Sequence, residues 1–140
     1  MTKTKAQQIM AATETRAADD VTAAIQDIAA EFEPYIIKQR RHFHKHPELS
    51  LAEERTTSDI ANQLDAMNIP YERPLKTGLV ATLRGTAPDA YREDGTPRRR
   101  ILLRADIDAL PVTEQTGEEF ASVNEGCMHA CGHDCHIAMM

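Results

Sequence analysis

The stretch Gly126-Cys127-Met128-His129-Ala130-Cys131-Gly132-His133-Asp134-Cys135-His136 holds all three cysteines of the chain and three of its six histidines. Thiolate and neutral imidazole are the side-chain ligands of borderline-soft divalent metals. Asp134 adds a hard oxygen donor, or an acceptor for an imidazole N–H. Whatever fold the chain adopts must bring this stretch to a place where its side chains converge. The sequence ends at Met140, four residues after His136, so a site with more ligands is expected to lack some of them. Cys127, Cys131 and Cys135 would share one face of a helix, where they would read as small buried hydrophobes. Gly126 and Gly132 weaken a continuous helix there. A structural zinc site shows paired short spacings separated by a longer loop. Only one cluster is present, so a small structural metal-binding module remains the alternative reading.

Composition narrows the class. A chain of 140 residues has the size of one ordinary domain, and 41% hydrophobic residues indicate a globular one. A net charge of −6 and the absence of Trp argue against nucleic acid as a partner. No run approaches the roughly 18 apolar residues a membrane span needs. Polar residues follow Met1-Thr2-Lys3-Thr4-Lys5, so no secretory core is read there. Three clustered cysteines do not form a disulfide framework. A cytoplasmic location, with no membrane partner, is expected.

Along the chain, residues 1–19 are read as an N-terminal extension and residues 20–140 as part of a domain. Val21, Ile25, Ile28, Phe32, Tyr35, Ile36 and Phe43 recur at helical spacing, predicting a helix over 20–46 that Asp19 or Asp20 could cap. Pro34 predicts a kink or break near Glu33, and Pro47 an end by His46. Acids at the front and Ile60, Leu64 and Met67 behind them predict a second helix over 53–67, stopped at Asn68. Residues 69–73 read as a short strand. Residues 78–85 and 100–106 read as strands that pair antiparallel, because a polar loop without a helix joins them. The fold class is therefore α/β, a mixed sheet with flanking helices.

Asp106 and Asp108 end the second of those strands. Alternation puts them on one face, and ligand sites in α/β sheets lie beyond the carboxyl ends of strands. Otherwise they are solvated strand-end acids. His42, His44 and His46 close the first helix, and the helix macrodipole accounts for His42 and His44.

His44-Lys45-His46-Pro47-Glu48-Leu49-Ser50, with Glu54 and Thr57, resembles the N-terminal signature of the M20 metallopeptidase family. The likeness is to its aminoacylase, hippurate hydrolase and indole-acetyl-amino-acid hydrolase branch. Thr77-Gly78-Leu79-Val80-Ala81 resembles that branch's first core strand. Leu103 to Pro111 resembles its Arg-Ala-Asp-x-Asp-Ala-Leu-Pro motif, and Met128 to His136 its metal-binding motif. The resemblance covers about residues 38–140. It implies a zinc-exopeptidase-like catalytic domain, truncated, and a metal-dependent amidohydrolase that cleaves the amide bond of N-acyl amino acids. The implied cofactor is two divalent ions of manganese, zinc, cobalt or nickel. Cys131 and His133 match metal ligands, and Asp108 matches the acid that supports them. Cys127 and Cys135 fall where the family pattern varies. Full-length members carry further ligands, a Glu general base and a dimerisation or lid domain, and form homodimers. The chain is therefore expected to be an N-terminal fragment, inactive alone.

Overall fold

The computed structural model describes the backbone from residue 5 and side chains from residue 20. The expectation for residues 1–19 falls largely outside the described residues. The chain divides into two compact units, Met1–Ile37 and Lys38–Met140.

Helix α1 covers Lys5–Lys45. It begins well before Asp20, in a segment rich in alanine, the strongest helix former. It also runs through Pro34 without the expected break. Proline removes one N–H bond from the helical ladder, and here the turns on either side continue. In the first unit, Val21, Ile25, Ile28 and Phe32 are all more than half exposed.

In the second unit, α2 spans Glu54–Ala66. Glu53 makes no side-chain cap. Glu48 caps instead, from outside the helix: its carboxylate accepts from the Arg55 and Thr56 backbone N–H groups and the Thr56 hydroxyl, the last two at 2.7 and 2.9 Å. A carboxylate at that end also complements the helix dipole. The far end closes as expected at Asn68, which takes a left-handed φ of 56°. The Asn68 N–H donates to the Asp65 carbonyl and the Ile69 N–H to the Leu64 carbonyl, the paired bonds of a Schellman motif.

Strands β1, Tyr71–Glu72, and β2, Val80–Ala81, pair antiparallel with Tyr71 opposite Ala81 and Glu72 opposite Val80. Thr57, 1% exposed, accepts the Gly78 N–H at 2.8 Å and so fastens this ladder to α2. The expected strand over 100–106 does not form, and 78–85 pairs with the 71–72 segment instead. Ile101, Leu102 and Leu103 are 87, 90 and 71% exposed, so no second layer covers them and the extended backbone has nothing to bond along.

Three extended segments lie side by side where the site forms. Leu49 bridges Ala109, and Leu110 bridges Met128. The Ala109 N–H donates to the Glu48 carbonyl at 2.7 Å, and Leu110 and Met128 exchange two N–H···O bonds. Asn124 donates its side-chain amide to the Pro47 carbonyl at 2.8 Å. Buried apolar residues here are Phe43, Ala61, Ala109 and Cys127. The buried polar and charged residues are His44, Glu53, Thr56, Thr57, His129 and Asp134. The last helix, α3, covers His133–Met139.

Candidate metal centre

The end of α1 carries the frame of the site. His44 is 4% exposed, with Nδ1 2.9 Å from Asp134 Oδ2 and Nε2 3.1 Å from Glu114 Oε1. Both nitrogens donate at once only as the imidazolium. Arg40, one turn earlier on the same helix face, donates Nε to Asp134 Oδ2 at 2.8 Å. The Arg40 and Arg41 guanidiniums lie 5.3 and 5.0 Å from the Phe120 ring centre, within cation–π range. His44 is thus a buried residue bridging two carboxylates, and the macrodipole is no sufficient account of it. His42 does sit at the half-exposed surface, with Nε2 2.8 Å from Asp59 Oδ2.

Burial opposes ionisation of Asp134. The His44 and Arg40 hydrogen bonds and their charges outweigh it and hold the carboxyl below its ordinary range. Glu114 is likewise pulled down against its burial, by the Ser122 backbone N–H, the Thr116 hydroxyl and His44.

His133 opens α3, directly after Gly132 in a left-handed conformation with φ 82°. Its Nδ1 lies 2.9 Å from both the carbonyl oxygen and Oδ1 of Asp108. Both are acceptors only, so Nδ1 carries the proton and Nε2 presents its lone pair. Asp108 in turn accepts the Ser50 hydroxyl. That bond first, then His133, lowers the Asp108 carboxyl below its usual range although burial pulls the other way. The residue pair expected from sequence, Asp108 and His133, is therefore in contact.

Among the described residues, Asp106, His133 and His136 each offer a donor atom within 4.8 Å of the others. The His133 and His136 rings stack, 5.3 Å apart at 24°. Cys131 is exposed, Cys127 buried and Cys135 half-buried, and none of them belongs to that donor group. Burial raises the Cys127 thiol. His129 is enclosed, with both ring nitrogens lacking a hydrogen-bond partner, and burial lowers its pKa. An imidazole, a second imidazole and a carboxylate suit a divalent ion of the zinc, cobalt or manganese kind, so the residues fit the group the motifs imply.

Sequence reading singled out Asp108, Cys131 and His133. It named Asp106 and His136 as candidates without grouping them with His133, quoted His44 and Ser50 only within the N-terminal signature, and did not single out Arg40 or Glu114. A signal was present for Asp106, which shares a strand face with Asp108.

The sequence profile of "Peptidase family M20/M25/M40" matches residues 102–140. An uncharacterized hydrolase of Staphylococcus epidermidis is 46% identical over 106 residues, 76% of this chain and 25% of that protein. A Staphylococcus aureus hydrolase is 45% identical over the same span. The chain thus spans about a quarter of the length of the curated relatives it matches. The Bacillus subtilis YXEP protein, a dinuclear metal binding peptidase from the M20 family, superposes with a TM-score of 0.67. That match has 44% identity and covers 78% of this chain and 29% of the other. With the His-Pro-Glu, Arg-Ala-Asp-x-Asp and Cys-Gly-His-Asp motifs folded onto one another as described, the chain is similar to part of the M20 peptidases, and its residues 102–140 match that family's model.

Proposed function

We propose that this chain is part of a metal-dependent amidohydrolase that cleaves N-acyl amino acids, with His133 and Cys131 as metal ligands and Asp108 as the residue that positions His133. The observation that carries the reading is the Asp108–His133 contact at 2.9 Å. A carboxylate on one imidazole nitrogen fixes the tautomer, orients the ring and makes the other nitrogen a better ligand. Ser50 holds the far side of the same carboxylate. Cys131 is exposed and one residue from His133, so its side chain is free to turn toward Nε2. Gly132 between them lets the backbone fold back. A divalent ion bound there supplies Lewis acidity to the scissile carbonyl.

The test is a chimera in which residues 38–140 replace the corresponding part of the Bacillus subtilis relative. Amino-acid release from N-acetyl and N-benzoyl amino acids should be restored by added manganese or zinc and abolished by a chelator. Asp108→Asn should lower it about 10–100-fold, the usual cost of losing a residue that orients a ligand. A chimera that folds and binds the ion yet releases nothing from any N-acyl amino acid would refute the substrate class.

A further inference from the structure

We infer that α1 pairs through residues 21–35 with the same face of a second copy of this chain, the two helices running antiparallel. The inference is independent of the metal-dependent reading above. Three observations carry it.

The first is spacing. Val21, Ile25, Ile28, Phe32 and Tyr35 follow one another at intervals of four, three, four and three. That alternation is the a and d pattern of a heptad, which lines one side of a helix and buries it against another helix. Asp27 and Pro34 both fall on the outer c position of that heptad, so the N–H that proline lacks is missing away from the seam. Ala24 and Ala29 flank the stripe, and small side chains there let two helices approach closely.

The second is exposure. Within the unit Met1–Ile37, Val21, Ile25, Ile28 and Phe32 are each more than half exposed, and Tyr35 is 38% exposed. Apolar residues exposed singly are ordinary, but a contiguous row of them marks an interaction surface. The resemblance to the M20 family begins at about residue 38, and the stripe lies before it.

The third is charge, which selects the occupant. From Asp20 to Glu33 the charged residues are Asp20, Asp27, Glu31 and Glu33, and Lys38, Arg40, Arg41 and Lys45 follow them. Along its one continuous length, α1 is therefore acidic beside the stripe and basic beyond it. A parallel pair would set acids on acids. An antiparallel pair centred on Ile28 brings Lys38 level with the acidic start of the other copy's stripe, near Asp20. Complementary potentials favour the second arrangement, and like charges penalise the first. The polar face beside the stripe carries no Lys or Arg, so an anionic membrane surface does not suit it.

The experiment is sedimentation equilibrium of the reduced 140-residue chain at concentrations from about 1 μM to 1 mM. Every sample carries Ile101→Lys and Leu103→Lys, so that the exposed 101–103 segment adds no association of its own. A monomer–dimer equilibrium is expected. Ile25→Gln with Phe32→Gln should weaken it about 100-fold or more, since each copy loses two anchors of the seam. Glutamine has a better helix propensity than Ile or Phe, so at the lowest concentration the far-ultraviolet circular dichroism should match that of the starting chain. Asp27→Lys with Glu31→Lys leaves the apolar stripe whole and should weaken the dimer about 3–10-fold, the effect of a few exposed charge pairs. Adding Lys38→Glu should recover part of that loss. A chain that stays monomeric at the highest concentration overturns the inference, as does a dimer unchanged by Ile25→Gln with Phe32→Gln. A dimer tightened by Asp27→Lys with Glu31→Lys would show acids facing acids, and the antiparallel pairing would be wrong.

Discussion

Glu114 shows what a single residue contributes to this site. Its side chain is 4% exposed, yet it stays ionised because Ser122, Thr116 and His44 all donate to it. Its folded pKa lies below the ordinary 4.5. A carboxylate shifted down stabilises the fold fully above that ordinary value and loses the contribution as pH falls through the depressed one. Glu114→Gln should therefore cost about 1.5–3 kcal/mol at neutral pH, the worth of hydrogen bonds to a charged acceptor. The cost should shrink as the medium becomes acid. Urea midpoints of parent and variant from pH 7 down to about 3 check this, and two parallel curves would contradict it. Nothing in the sequence around Glu114 announced this role. Its partner His44 lies 70 residues away, and charge pairs at that separation leave no local pattern. Cys131, His133 and Asp108 were legible because their residue types and short spacings are unusual in themselves.

At the scale of elements, α2 and the two short strands were legible, whereas the start of α1, its continuity through Pro34 and the pairing of the strands were not. Apolar periodicity located α2 to within a residue at each end, and Asn68 marked its stop. The run over 100–106 has strand composition but no strand, since strand propensity expresses packing against a neighbour more than a backbone preference. Where Ile101 and Leu102 have no cover, the preference goes unrealised. The cap of α2 was hidden for a different reason: Glu48 reaches it from beyond the helix, across a turn. α3 depends on one backbone conformation. Gly132 sits at φ 82° with nothing within 4 Å of where a Cβ would stand. Substitution therefore strains the backbone without a clash. Gly132→Ala should destabilise the fold by about 1–2 kcal/mol, the left-handed penalty for an L-residue, and loosen the Asp108–His133 contact. A urea midpoint equal to the parent's would show that the turn is not held in that conformation.

For the molecule as a whole, the segment Ile101 to Leu103 is the main exposed apolar liability of the second unit. Extended, uncharged at its centre and unpaired, it is a template for strand addition between copies. Ile101→Lys with Leu103→Lys should raise the monomeric fraction in light scattering. It should change unfolding free energy by no more than about 0.5 kcal/mol, as for other exposed sites. A loss of several kcal/mol would mean that the segment is covered in solution. The frame of the site closes much longer loops. Asp134 meets Arg40 across 94 residues and His44 across 90, and Ser50 meets Asp108 across 58. Contacts of such separation form late, because the loop-closure entropy comes before the reward. The cysteines and histidines of residues 127–136, by contrast, are neighbours even in an unfolded chain. An ion present during refolding meets that strip before Asp108 has reached His133, and ions bound by the unfolded chain offset their stabilisation of the folded one. Order of addition therefore matters under the proposed function: an ion that binds the finished site also meets its precursor, and refolding under a chelator, with metal supplied afterwards, is the expected productive sequence.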